Sequence, residues 1–394
     1  DALDSGYIGL SIQTLPWDKL DGDRERSKPL PSFFASWAEY RRLTRILRRR
    51  GRIFQGVPNV TTKINVLLFI WESMGLFRRS LKTTVISLMD VISNRALYRV
   101  VPLVSRLANV VLRADFRFQA LPNLFDVWAD GMDLVIFEEF GAGTEAMHLA
   151  NLGQRAELLV DPAYRARFKK QWRNLFSPRI YHRNFKQSEI LACPDQDLVG
   201  LSFADVAALR GVDVIDAFLD LAAAYGRELR WYSHVANDRP GPLRTIVSHP
   251  DILIGFSDAG AHLRNMAHYN FPLRLLKMVR DAEKNGQPFM PIERAVHRLT
   301  GEIADWFGLD VGHLDQGTRA DLVLIDPNGL NEDVEIAQEA PMDKFGGLSR
   351  LVRRNPKAVP MVMINGRIAS RFGEPSPDLG QSHDYGEVLR ATDR

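Results

Sequence analysis

Apolar runs alternate with helical patterns along the first part of the chain, and this alternation predicts βα units with a parallel sheet. Short apolar runs predict strands at 7–12, 53–57, 83–89, 116–121 and 134–137. Apolar residues at helical spacing predict helices at 37–50, 63–77 and 91–112, the last interrupted by Pro102. From about 144 to 210 the period becomes helical and the chain rich in Arg, Lys and aromatic residues, which predicts an insertion with breaks at Ser177-Pro178 and Cys193-Pro194.

The pattern changes again after the insertion. A helix is predicted at 215–225, strands at 229–233 and 252–256, and amphipathic helices at 273–285 and 292–307. The remaining chain predicts a small all-β unit, with a strand within 317–327 and a hairpin at 359–368 that turns at Asn365-Gly366.

The apolar run 252–256 ends in Ser257-Asp258, and this is the first candidate for chemistry. A carboxylate at the carboxyl tip of a buried parallel strand is held rigidly and faces the cleft where barrel and open-sheet enzymes keep their active sites. Asp258 is therefore the predicted catalytic group. The alternative is that Asp258 only caps the turn that follows, as Asp often does.

Three further residues are candidates for substrate contacts. His262 follows Asp258 by four residues in a glycine-containing loop, and His234 ends the predicted strand 229–233. Arg264 offers a guanidinium fork for a substrate carboxylate. No His-x-His, His-Glu-x-x-His or Cys-x-x-Cys spacing occurs among the nine histidines and one cysteine, so spacing alone locates no metal.

Composition narrows the class of protein. A net charge of +3 over 394 residues does not indicate a nucleic-acid partner, and the basic run 41–52 is interpreted as the solvated face of an amphipathic helix. No apolar run reaches the roughly 20 residues that span a bilayer, so no membrane partner is predicted. The single cysteine, Cys193, fits a reducing compartment, and a cytoplasmic location is predicted. The chain opens on what looks like the end of a helix at Gly6, which suggests a fragment lacking preceding elements.

Several stretches resemble the amidohydrolase superfamily, in its branch of N-acyl-D-amino-acid deacylases (amidohydrolase family 3). They are Ala2–Ser11, His249-Pro250 with Ser257–Gly260, Leu299–Ala304, and Gly317–Val323 with Ile364-Asn365-Gly366. The resemblance implies an α/β fold, a (β/α)₈ TIM-like barrel whose first strands are missing here, followed by a small β-sandwich. It divides the chain into a barrel portion, 1–308, with the insertion at about 144–210, and a sandwich portion, 309–394.

The resemblance also implies a function. A zinc ion would bind a water whose pKa it lowers to about 7, and Asp258 would take the proton from that water and deliver it to the leaving nitrogen. The implied reaction is hydrolysis of a non-peptide C–N bond, with a carboxylate-bearing N-acyl amino acid as the substrate. The middle-strand histidines of the family are absent, because Gln55 and Asn59 stand in one expected stretch and 84–89 holds no histidine. The alternative is a non-catalytic small-molecule binder that has lost these metal ligands.

Overall fold

The computed structural model describes residues 1–15, 19–20, 24–25, 27–58, 63–177, 179–258, 260–343 and 346–391. Three residues used in the sequence analysis, Asn59, Pro178 and Ala259, lie outside these ranges. None of the helices within them is both long and apolar enough to cross a membrane.

The described strands are β1 (Gly9–Gln13), β2 (Ile53–Val57), β3 (Lys82–Leu88), β4 (Asp115–Ala120), β5 (Phe125–Asp130), β6 (Ser188–Ala192), β7 (Arg230–Ala236), β8 (Ile252–Ile254), β9 (Leu322–Leu324), β10 (Gln338–Met342), β11 (Leu348–Val352), β12 (Met361–Ile364), β13 (Arg367–Arg371) and β14 (Glu374–Pro375).

The described α-helices are α1 (Pro31–Phe34), α2 (Trp37–Arg49), α3 (Lys63–Ser73), α4 (Leu97–Val111), α5 (Gly141–Met147), α6 (Leu152–Val160), α7 (Pro162–Trp172), α8 (Phe203–Arg210), α9 (Val214–Tyr225), α10 (Pro240–Ser248), α11 (Phe271–Lys284), α12 (Ile292–Leu299) and α13 (Gly301–Phe307).

Five parallel strands form the sheet that positions the site, in the order β1-β2-β3-β4-β8. Its outer face is apolar: Phe54, Val85 and Phe116 are fully buried and join one core with residues of α2, α3 and α4. This is the βα arrangement that the alternating pattern predicts. The described strands form an open sheet, so the mixed α/β class is confirmed while closure into a barrel stays a prediction.

The amino ends of the parallel strands are covered by α13. The Trp306 indole donates to Asp115 Oδ1 at 2.8 Å, and Lys82 Nζ donates to the Trp306 carbonyl at 2.5 Å. Trp306 also packs against Ile53 and Leu253 on the inner face of the sheet. The opposite, carboxyl edge of the sheet is therefore the end at which we look for catalytic groups.

The chain between β4 and β8 carries its own sheet and the largest core. The antiparallel sheet has the order β5-β7-β6, and its buried face packs on aromatic side chains such as Phe137, Phe218 and Trp231. The predicted strand at 134–137 is wrong, because Val135–Glu139 is a 3-10 helix. Its apolar residues are buried in this core rather than paired in a sheet.

Two further sheets follow residue 309, with the orders β10-β11 and β14-β13-β12-β9. The predicted hairpin is confirmed: Asn365 (φ 50°) and Gly366 (φ 79°) form the turn between β12 and β13. The Leu351 N–H donates to the Leu263 carbonyl at 2.8 Å, so the β10-β11 sheet is bonded to the loop after β8. The division at 308/309 stays a prediction.

Candidate functional site at the carboxyl edge of the parallel sheet

Asp258 lies in the loop that follows β8. The Gly255 N–H donates to the Ala120 carbonyl at 3.3 Å and continues the β4–β8 ladder one residue beyond the strand. Asp258 has φ 51°, in the left-handed region that Asp tolerates better than most residues. Its side chain is 43% exposed, and the prediction that it faces a cleft stays a prediction.

His262 is the nearest titratable neighbour of this carboxylate. Its Nε2 lies 3.6 Å from Asp258 Oδ2, and its side chain is 26% exposed. The His262 carbonyl accepts from the N–H groups of Asn265 and Met266, both at 2.9 Å, which fixes the turn. The Asp258 carbonyl accepts from the Ala261 N–H at 3.4 Å, so Asp258 begins a turn, and the capping alternative stays open.

The inner face of the sheet is lined by amides and hydroxyls beside this edge. Gln55 is in register with Thr84, and the Gln119 amide donates to Thr84 Oγ1 at 3.2 Å. Gln13 Oε1 accepts from the Leu15 N–H at 3.1 Å. These groups bind carbonyls, hydroxyls or water, and they are poor zinc ligands.

The described residues do not fit a zinc site. They contain no group of three or more His, Cys, Asp or Glu side chains arranged to hold a metal ion. Asp258 and His262 supply two donors of the required kind, whereas a structural or catalytic zinc takes at least three protein ligands. Zinc, expected from the resemblance, is therefore not assigned to residues of this chain.

His234 lies within β7, in the antiparallel sheet rather than at the end of a parallel strand. It nevertheless comes close to the carboxyl edge, because the segment after β3 bonds to β7. The Ile92 N–H donates to the Val235 carbonyl at 3.3 Å, and the Asn237 N–H donates to the Asp90 carbonyl at 3.0 Å.

A second histidine, His182, lies beside His234, and the sequence does not predict it as a site residue. Its Nε2 donates to the His234 carbonyl at 2.8 Å, its Nδ1 accepts from the Asn184 N–H at 2.8 Å, and the two rings are 6.3 Å apart. Burial lowers the pKa of His182 to about 4, so the ring is neutral at pH 7. No sequence motif identifies His182 as a site residue. It stands in the stretch 144–210, which is interpreted only as an insertion.

Charged pairs hold the strand ends around these histidines. Arg239 donates to the fully buried Asp90 from Nε at 2.8 Å and Nη2 at 2.6 Å. Arg95 bridges Asp90, at 3.1 Å, and Asp238, whose Oδ2 accepts from Nη2 at 2.6 Å. The bond from Arg95 lowers the pKa of Asp238 below its ordinary value. Asp90, Arg95, Asp238 and Arg239 are therefore each bonded to a charged partner within the protein.

Arg264 has different partners from the predicted substrate carboxylate. Its Nε and Nη2 form a fork with Asp130, at 2.9 and 3.0 Å, and its Nη1 donates to Glu339 at 2.7 Å. The bond to Asp130 raises the pKa of Arg264. The two-bond fork is thus made within the protein, where it joins β5 to β10, and a substrate role for Arg264 needs one of these pairs to open.

No protein-family model matches the chain. Uncharacterised proteins of Mycobacterium tuberculosis and Mycobacterium bovis are 45% identical to it over 399 residues, which is 99% of this chain and 65% of theirs. The chain therefore spans slightly less than two thirds of the length of these relatives.

Two solved structures of D-aminoacylase match 99% of the chain and 64% of their own, with a TM-score of 0.52 and 17% identity. One concerns the binuclear metal centre of D-aminoacylase, and the other defines that enzyme as a novel subset of amidohydrolases. The resemblance noted in the sequence is confirmed at the level of the fold. Over nearly its whole length, this chain shares the fold of about two thirds of D-aminoacylase, an amidohydrolase.

Proposed function

We propose that this protein hydrolyses a non-peptide C–N bond in a small molecule, and that the substrate is an N-acyl amino acid carrying a carboxylate. The fold of D-aminoacylase over 99% of the chain supports the reaction class. The observation that carries the proposal is Asp258, which follows the last strand of the parallel sheet at its carboxyl edge. That edge is where parallel-sheet enzymes place catalytic groups.

Asp258 and His262 are the proposed proton-transfer pair. The carboxylate accepts a proton from the water that attacks the amide carbon, and it returns that proton to the nitrogen as the C–N bond breaks. His262 Nε2, 3.6 Å from the carboxylate, moves within hydrogen-bond reach by a small rotation and then orients it. The half-buried amide of Gln55 lies on the inner face of the same sheet, where it could contact the substrate, whereas the buried amide of Gln119 is bonded to Thr84.

The openness of Asp258 bears on this role. A side chain that is 43% exposed is reached by water and substrate without rearrangement. D-aminoacylase has a binuclear metal centre, but no step is assigned to a metal in this chain because its described residues do not fit one.

A second candidate function is small-molecule binding without turnover. The observation that favours it is the lack of a three-donor metal group among the described residues, together with Gln55 in one stretch and a histidine-free run 84–89 where the resemblance expects histidine. An amide-lined inner face binds polar ligands without activating a water.

One experiment separates the two candidates. The protein is incubated with N-acyl-D- and N-acyl-L-amino acids, the released amine is quantified, and bound metal per chain is measured in parallel. Hydrolysis that disappears in Asp258→Asn supports the hydrolase. The matched control is Asp315→Asn, an exposed aspartate in a turn after α13, which should retain full activity. Binding of a compound without any released amine supports the second candidate, and turnover unchanged in Asp258→Asn contradicts the role of that carboxylate.

A further inference from the structure

The helices outside the parallel sheet expose apolar side chains where a soluble helix carries polar ones. Leu103, Leu107 and Val110 of α4 are 67%, 59% and 61% exposed. Their spacing of four and three residues places them in one stripe along the helix. The opposite side of α4 is also apolar, since Ala108 packs in the core on the sheet. Apolar residues on both sides are typical of a helix with a second partner.

Exposed apolar side chains also lie on α3 and just after it. Leu67 and Trp71 of α3 are 59% and 55% exposed, and Phe77 beyond it is 90% exposed. The Gly75 N–H donates to the Leu112 carbonyl at 3.0 Å, which joins the ends of α3 and α4. We define the outer apolar face as these six side chains: Leu67, Trp71, Phe77, Leu103, Leu107 and Val110. Exposed apolar side chains in such number on adjacent elements mark an interaction site.

The same helices are strongly basic. Residues 37–113 contain fifteen Lys and Arg against three Asp and Glu, a net charge of +12 in a chain whose total is +3. Two of the three acids, Glu72 and Asp90, are buried. The third, Glu39, is bonded to the Ser36 N–H at the start of α2. The surface of these helices is thus almost free of negative charge.

Four exposed arginines on these elements form no ion pair with the residues that the structure describes. Arg45 and Arg49 on α2, Arg79 after α3 and Arg113 after α4 are exposed. Within the ranges that the structure describes, none of the four forms an ion pair. On α2, Leu43 and Ile46 are 44% and 49% exposed beside them. The prediction that the basic run 41–52 is the solvated face of an amphipathic helix therefore accounts for its arginines but not for its exposed apolar side chains.

We propose that the outer apolar face and its arginines bind the surface of an anionic phospholipid bilayer. Leu, Trp and Phe side chains enter the interfacial region while arginines pair with lipid phosphates, which is how amphipathic helices lie on membranes. A second copy of the chain fits less well, because a two-fold contact would place like charges together. A nucleic acid fits less well, because aliphatic side chains contribute little to its binding. The face lies over β2, β3 and β4, the middle of the sheet.

The test is flotation of the protein with vesicles of phosphatidylcholine alone or mixed with phosphatidylglycerol, at low and high salt. We expect binding to the anionic vesicles that weakens with salt. The pair Leu103→Gln and Leu107→Gln should lower the bound fraction at least tenfold, and each of Arg45→Gln and Arg49→Gln about fivefold. The matched control is Leu209→Gln with Leu314→Gln, leucines that are 73% and 82% exposed elsewhere.

Several results would overturn the proposal. They are no binding to anionic vesicles, equal binding to neutral vesicles, or binding unchanged by the Leu103/Leu107 pair. RNA binding that is equally tight in that pair would indicate a general polyanion site instead. A dimer in sedimentation velocity that the pair dissociates would assign the face to a second copy of the chain.

Discussion

Arg298 holds the start of the strand that leads to Asp258. The guanidinium is fully buried. It donates to the carbonyls of Val247, at 2.6 Å, and His249, at 3.0 Å, and to that of Ile252. These carbonyls belong to the end of α10, the connecting turn and the first residue of β8. One side chain therefore joins α12 to the junction that sets where β8 begins.

The perturbation is Arg298→Met, which keeps the length of the side chain and removes every donor. Each buried carbonyl left without a partner costs about 1–3 kcal/mol. The buried guanidinium also pays a desolvation cost, which is recovered in the variant. Burial lowers the pKa of Arg298 to about 10, so it is still charged at neutral pH. We therefore expect a net loss of about 3–5 kcal/mol in the free energy of unfolding. Arg298→Lys, with a point charge in place of the fork, should fall between the variant and the parent.

Urea titrations with matched m-values measure the loss, and hydrogen exchange over 249–256 locates it. The control is Arg294→Met on the same helix. Arg294 is 38% exposed, and its partner Glu302 keeps a second ion pair with Arg298 at 3.5 Å in this variant, so we expect a loss below about 1 kcal/mol. An Arg298→Met protein no less stable than Arg294→Met, with unchanged exchange at 249–256, would refute the reasoning.

Three further results are expected. Burial lowers the pKa of His268 and His182 to about 4, so the stabilisation they provide is complete above about pH 6.5 and is lost as the pH falls toward 4. Urea titrations across that window should show a shallower decline in His268→Gln. Phe218→Ala removes a ring stacked on Phe185 at 4.7 Å and should cost about 3–5 kcal/mol, whereas thermal unfolding of Phe176→Ala, 95% exposed in the parent, should not change. Gly366→Ala forces φ 79° on a residue with a side chain and should lower stability by about 1 kcal/mol, while Gly241→Ala in α10 should raise or preserve it.

Local patterns predicted the parallel half of the fold well. The strand 53–57 and the helix ending before Gly51 occur where expected, because their signals are an apolar run and a glycine stop with φ 63°. The helix expected at 63–77 ends at Ser73, and the one at 292–307 is divided between α12 and α13 at Thr300. Helix ends depend on tertiary contacts that a periodic pattern does not contain.

The segment between β4 and the insertion was predicted less well, for two reasons. The segment Phe125–Asp130 has apolar residues at Phe125, Val127 and Ala129, at the spacing of a half-buried strand, but no strand is predicted there. The apolar run at 134–137 gave the opposite error, because a short apolar run does not distinguish a strand from a buried 3-10 turn.

The candidate site shows the same limit. Asp258 was found from its place after a strand, which is a local signal. His182 was not found, because its contact with His234 joins positions 52 residues apart. The partners of Arg264 are equally remote: Asp130 precedes it by 134 residues and Glu339 follows it by 75. No local pattern indicates that its fork is already occupied.

The central claim is that Asp258 transfers the proton during C–N bond hydrolysis. The most direct measurement compares the parent with Asp258→Asn for one N-acyl amino acid, recording turnover by released amine and affinity by calorimetry. The account expects turnover to fall at least about 100-fold while the Kd changes by less than about threefold, because the carboxylate acts on the reacting water rather than on substrate binding. Turnover retained within a few-fold of the parent would contradict it.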